Sequence, residues 1–240
     1  MWKVNVLTLF PEIFPGPLAC SLSGKGLKNG IWELSTTQIR NFALDKHHTV
    51  DDTCYGYNAG MIMKPDVIDS ALQYAVDNFK AEAQIVYMTP KGRPLTQKMV
   101  HIFTESPGLI ILCGRYEGID ERVIEYWGKR GLQEVSIGDY ILSGGEIGAI
   151  TLIDACVRLL PNIVHNEESL VYESFESGLL EFPQYTRPYN WRETTVPDVL
   201  LSGNHKEITK WQKSEAERET KKRRPDLWQI YTGAPKECRS

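Results

Sequence analysis

The stretch QIVYMTPKGRPLTQKMVHIFTESPGLIILCG (84–114) decides the fold class. Its two ends, QIVYMTP and LIILCG, are rich in Val, Ile, Leu and Tyr and are bounded by Pro or Gly, the signature of strands. Between them LTQKMVHIFTES (95–106) has a helical pattern. Working outward, VNVLTLF (4–10) reads as another strand. PDVIDSALQYAVDNF (65–79) sets Val67, Ile68, Ala71, Leu72, Ala75, Val76 and Phe79 at helical spacing, with Pro65 suited to a first turn. IDERVIEYW (119–127) follows LIILCG as a further helix. Strands alternating with helices imply an α/β fold with a parallel sheet covered on both faces. Ordinary connection rules would make that sheet open and doubly wound.

Further on, EVSIGDYILSGGE (134–146) reads as a strand broken by tight turns. It leads into GEIGAITLIDACVRLLPN (145–162), which is apolar nearly all round. Such a helix is expected to be buried on every side. It nevertheless carries Asp154 and Arg158 one turn apart. A charged pair in so apolar a helix marks either a structural ion pair or an interface or site. From His165 the chain turns polar, aromatic and proline-punctuated, then resumes as a charged helix over 202–224, capped by Asn204 and stopped by Pro225. The expected division is a main domain over 1–164, a linker over 165–180 and a small all-helical domain over 181–240.

The 240 residues are 42% hydrophobic and 24% charged, a balance that excludes a disordered or fibrous chain. No apolar run approaches the roughly 20 residues of a membrane span, and the amino terminus has no signal-peptide pattern. A cytoplasmic protein with no membrane partner is expected. Five dispersed cysteines without a C-x-x-C pair indicate neither a zinc site nor a disulfide framework. Cys113 and Cys156 sit in apolar runs and read as core fillers. The net charge is −4, yet residues 205–224 carry eight Lys and Arg against four Glu. An acidic body with a basic segment points weakly to a polyanionic partner.

Three glycine-bearing turns follow strand-like runs: PKG (90–92), GRYEGIDER (114–122) and IGDYILSGGE (137–146). In parallel α/β folds ligands bind beyond the carboxyl ends of strands, so the three could line one pocket. Neither the dinucleotide fingerprint nor a phosphate-binding P-loop occurs. The residues by themselves reach an α/β protein with a nucleotide-like ligand and no further.

Taken together, TLFPEIF (8–14), TVDDTCYGYNAGM (49–61), YMTPKGR (87–93), LCGRYEGIDERV (112–123), SIGDYILSGGE (136–146) and LLSGNH (200–205) closely resemble the bacterial tRNA (guanine-N1)-methyltransferases. The resemblance runs to about Leu227. It implies a SPOUT-like α/β domain with a deep trefoil knot in place of the open sheet, followed by a small helical domain. It also implies a homodimer that moves a methyl group from S-adenosylmethionine to N1 of the guanine at tRNA position 37. The cofactor residues it implies are Tyr87, Thr89 and Pro90, then Gly114, Tyr116, Glu117 and Gly118. From the third turn come Ile137, Gly138, Asp139, Tyr140, Ile141, Leu142, Gly144 and Gly145. Arg158 matches the family arginine that steadies charge on the guanine O6. Magnesium is implied too, with Glu117 the first carboxylate to recruit it, although no metal motif is visible.

Three departures accompany the resemblance. The family's Asp-Ser-Phe is Glu173-Ser174-Phe175 here, so Glu173 is expected to act as general base, with Glu168 or Glu167 as alternatives. YGYNAGM (55–61) has fewer glycines than usual, and EYWGKRGLQEV (125–135) reads as a surface insertion. Arg187, Trp191, His205 and the basic helix are candidate tRNA contacts; Asp51, Asp52 and the 55–61 loop are expected to touch the tRNA or support the site; His47 and His48 are tRNA-facing or solvated. A related knotted methyltransferase with another RNA target, and a non-catalytic RNA-binding dimer, are the competing readings.

Overall fold

The computed structural model describes residues 1–56, 60–79, 81–165, 170 and 172–233. The chain divides into two compact units, Met1–His165 and Asn166–Ser240. In the first, β1 (Trp2–Thr8), α1 (Ser21–Lys28) and β2 (Trp32–Gln38) are followed by a short antiparallel pair, β3 (Asp51–Thr53) and β4 (Met61–Met63). Then come α2 (Pro65–Phe79), β5 (Gln84–Pro94), α3 (Gln97–Glu105), β6 (Gly108–Cys113), α4 (Glu121–Gly128), β7 (Leu132–Ser136) and α5 (Glu146–Val157).

Five strands form one parallel sheet in the order β2-β1-β6-β5-β7. Its central strand, GLIILC, is buried at all six positions. That is what a strand covered on both faces requires. Successive side chains alternate between faces. Leu109, Ile111 and Cys113 join Val100 and Phe103 of α3 and Leu152, Ile153 and Cys156 of α5. Ile110 and Leu112 join Val67, Ile68, Ala71 and Leu72 of α2 and Val123 and Trp127 of α4. Each such side chain contributes roughly 1.5–3 kcal/mol of burial. α4 begins where the Asp120 carboxylate accepts the Arg122 N–H at 3.0 Å, an N-cap.

Two expectations about the first unit need correction. Residues 125–135 are not a surface insertion: they complete α4 and open β7, with Trp127, Leu132 and Val135 in the core. Apolar spacing, Val123-Ile124-Trp127 and then Leu132-Val135, carries the chain inward. The second concerns α5, which is not buried all round and ends at Val157. Ile147, Thr151 and Asp154 share an exposed stripe, Ile147 being 55% accessible.

The second unit holds a two-residue antiparallel ribbon, β8 (Asn190–Trp191) with β9 (Thr194–Thr195), then α6 (His205–Arg223) and α7 (Pro225–Thr232). It is therefore not all-helical. Arg192 and Glu193 join the ribbon strands, both with positive φ, the geometry that a two-residue hairpin turn demands. Asn204 caps α6, its side chain accepting from the Glu207 N–H. The buried Thr220 hydroxyl donates to the Ala216 carbonyl at 2.7 Å and accepts the Leu180 N–H at 2.8 Å.

Candidate functional site

The glycine-bearing segments gather at the carboxyl ends of β5, β6 and β7. Along β5 the pairing with β7 slips between Met88 and Arg93, so the chain from Thr89 to Gly92 leaves the regular ladder. The turn after β6 is anchored on β4: Glu117 N–H donates to the Met61 carbonyl at 3.0 Å, and the Met63 N–H to the Gly118 carbonyl at 2.9 Å. The turn before α5 then closes onto it, Gly145 N–H donating to the Gly114 carbonyl at 3.0 Å. A β-carbon on Gly145 would lie 2.9 Å from the Cys113 Cα, so this approach requires glycine.

These segments enclose a cavity of about 470 Å³. Of the residues implied by the resemblance, Tyr87, Thr89, Pro90, Gly114, Tyr116, Glu117, Gly118, Ile137, Gly138, Tyr140, Ile141, Leu142, Gly144 and Gly145 line it; Asp139 does not. Met88, Arg115, Ser136 and Ser143 line it as well. Arg115 stood inside a quoted motif, but its residue type alone assigned it no place on the wall. Burial pushes the Tyr87 phenol up to about 12, so it holds its proton at neutral pH and cannot be a base there.

Arg158 does not line the cavity. Arg158 is the half-buried C-cap of α5, roughly 18 Å along the axis from the end that meets the cavity. Glu173 lies, half-buried, in a turn of the second unit, and the alternatives Glu167 and Glu168 fall outside the described residues. Glu117, Glu121 and Glu134 are also among the residues that line the cavity. Among the described residues, however, no three His, Cys, Asp or Glu side chains assemble into a metal-holding group.

In the second unit Arg187, Trp191 and His205 are exposed, with the Arg192 guanidinium over the Trp191 ring at 4.8 Å. α6 spends part of its charge on itself: Arg218 pairs with Glu215 and Glu219, Arg223 with Glu219 and Lys213 with Glu217. Lys206, Lys210, Lys221 and Lys222 are exposed. His47 and His48 are exposed, while Tyr57 to Ala59 of the 55–61 loop fall outside the described residues.

A parallel sheet whose strand ends converge on a concave, loop-built cavity defines an α/β ligand-binding protein. The family described as tRNA (Guanine-1)-methyltransferase TrmD matches residues 2–230. A tRNA (guanine-N(1)-)-methyltransferase of Rhodospirillum rubrum is 52% identical over 97% of this chain and 95% of its own length. One of Brucella ovis is 56% identical over 96% of this chain and 92% of its own. The chain belongs to the tRNA (guanine-1)-methyltransferase family.

Proposed function

We propose that this protein methylates N1 of the guanine at position 37 of tRNA, with S-adenosylmethionine as donor bound in the cavity at the ends of β5, β6 and β7. The supporting observation is the meeting of three separate glycine-bearing segments in one cavity of about 470 Å³, within the range of small-molecule sites. The lining fits the donor. Ile137, Ile141 and Leu142 offer apolar surface, and β-carbons at Gly114 and Gly145 would collide with Tyr87 and Cys113. When bound, S-adenosylmethionine supplies an electrophilic methyl group on sulfur. Backbone N–H and C=O groups of the turns would hold its adenine and exclude water.

The protein's own task is then to make guanine N1 nucleophilic. The Glu173 carboxylate takes the N1 proton; the electron pair of the broken N–H bond stays on the ring, and charge spreads to O6. A positioned base of this kind contributes roughly 10²–10⁴-fold. The Arg158 guanidinium steadies the O6 charge. Because Arg158 stands at the end of α5 remote from its own chain's cavity, each site is inferred to combine two protomers of a homodimer. The exposed stripe of Ile147, Thr151 and Asp154 on an otherwise apolar helix supports that inference. Magnesium takes one or two carboxylates with water, and Glu117, Glu121 and Glu134 on the cavity wall are the residues that would recruit it; no step here runs through the metal.

A trefoil knot through the turns at 114–118 and 137–145 belongs to the same reading, as does a cytoplasmic location beside tRNA. No helix of the described residues is long and apolar enough to cross a membrane. The second unit, with its exposed lysines and Trp191, is assigned to the anticodon stem and loop. Comparing Glu173→Gln and Glu173→Asp with the wild type tests the reading. The amide variant should lose about 10²-fold or more in turnover and the aspartate variant remain active. A Glu173→Gln enzyme with wild-type turnover would remove the residue from the chemistry.

A further inference from the structure

Three signature stretches contribute Thr8 and Phe10 of TLFPEIF, Arg115 of CGRYEG and Glu146 of LSGGE. They meet in one cluster. The Glu146 side chain is 1% exposed, and its Oε1 accepts from Thr8 Oγ at 2.7 Å and from Arg115 Nε at 3.2 Å. Arg115 Nη2 lies 2.9 Å from Glu146 Oε2, and Arg115 Nη1 donates to the Ser143 carbonyl at 3.1 Å. The guanidinium covers the Phe10 ring at 4.4 Å, and the Phe10 N–H donates to Thr8 Oγ at 3.0 Å.

A carboxylate this buried is tolerated only with a charged, hydrogen-bonded partner. Arg115 supplies one, and each of its three guanidinium nitrogens has a protein oxygen within reach. What the guanidinium does is span. It rises from the turn after β6 and grips the turn before α5 at Ser143, and both turns are cavity walls. Gly144 fits beneath it without a side chain, since a β-carbon there would lie 2.3 Å from Arg115 Nε and 2.6 Å from Glu146 Oε2.

We propose that Glu146 is a positioning residue of the cofactor site: acting through Arg115, it sets the gap between the turns at 114–118 and 137–145, and with it the affinity for the methyl donor. The inference rests on the cavity being the S-adenosylmethionine site. In Glu146→Gln the carboxamide cannot match the guanidinium charge. In Arg115→Lys the charge remains, but the fork that joins Glu146 to Ser143 is gone.

The experiment measures S-adenosylhomocysteine binding to the full-length protein by calorimetry, alongside initial rates with tRNA. Each variant should weaken S-adenosylhomocysteine and raise the KM for S-adenosylmethionine about tenfold, the scale seen when a group that orients others is removed. Turnover at saturating donor and the KM for tRNA should stay near wild type, a split that mere loss of stability would not produce. Should Glu146→Gln fail to fold, Arg115→Lys decides, because that side chain is 21% exposed and tolerates change better. Folded variants with wild-type donor affinity, or with equal losses in all three parameters, overturn the inference alone. A wild type that binds no S-adenosylhomocysteine overturns the cavity reading and this inference with it.

Discussion

Tyr87, Cys113 and Cys156 all keep their protons in the folded chain because burial disfavours their charged forms. Tyr87 rises from 10.0 to about 12, Cys156 from 9.0 to about 12, and Cys113 well above 9.0. Between the ordinary and the raised values the folded protein binds more protons than the unfolded chain, so stability falls as pH rises. The melting temperature should hold below pH 9 and decline steadily toward pH 12, and Tyr87→Phe should flatten the upper part of that decline. Scans from pH 7 to 12 check it. Gly145→Ala is the sharpest steric test, since its β-carbon would meet the Cys113 backbone. It should cost about 1–3 kcal/mol in thermal unfolding. At this scale the sequence was informative about the cavity wall, because the glycine turns are local features. Arg115 and Glu146 were opaque, because their pairing joins residues 31 apart that only the fold brings together.

The elements themselves divide by how much of each is decided locally. α2 and β6 were readable because their apolar spacing matches the face or faces they bury. β2 was not: WELSTTQ is an edge strand, paired among the described residues only with β1, and its exposed positions tolerate polar residues that hide the pattern. α1 carries Gly24 and Gly26 in close contact with Ala19, Trp32 and Ile163, so packing overrides poor helix propensity. In the second unit one tie is directly testable. Thr220→Val removes the acceptor for the Leu180 N–H and should cost about 1–3 kcal/mol, with faster hydrogen exchange at the Leu180 amide. Thr220→Ser keeps the hydroxyl and should retain most of that protection. Arg158→Ala, at the end of α5, should lower turnover far more than cofactor affinity; equal losses would mean that its role has been misplaced.

For the molecule as a whole, charge is the organising quantity. A chain of net −4 must meet a polyanion through local positive surface, and on α6 intrahelical pairing leaves that task to the exposed lysines. Replacing Lys221 and Lys222 together by Gln should reduce the log–log salt slope of tRNA binding by about 1.5, with little change in melting temperature. A slope unchanged within error would move the RNA surface elsewhere. The parallel sheet was evident from the alternation of strands and helices; the ribbon at 190–195 was not, because two-residue strands carry no periodicity. The central claim is methyl transfer to one ring nitrogen of one base, and nucleoside analysis addresses it directly. After incubation of the purified protein with S-adenosylmethionine and a tRNA transcript bearing guanine 37, digestion and mass spectrometry should reveal 1-methylguanosine, and none when adenine replaces that base. Unmodified guanosine, or a methyl group that persists on the adenine-37 transcript, would contradict the account.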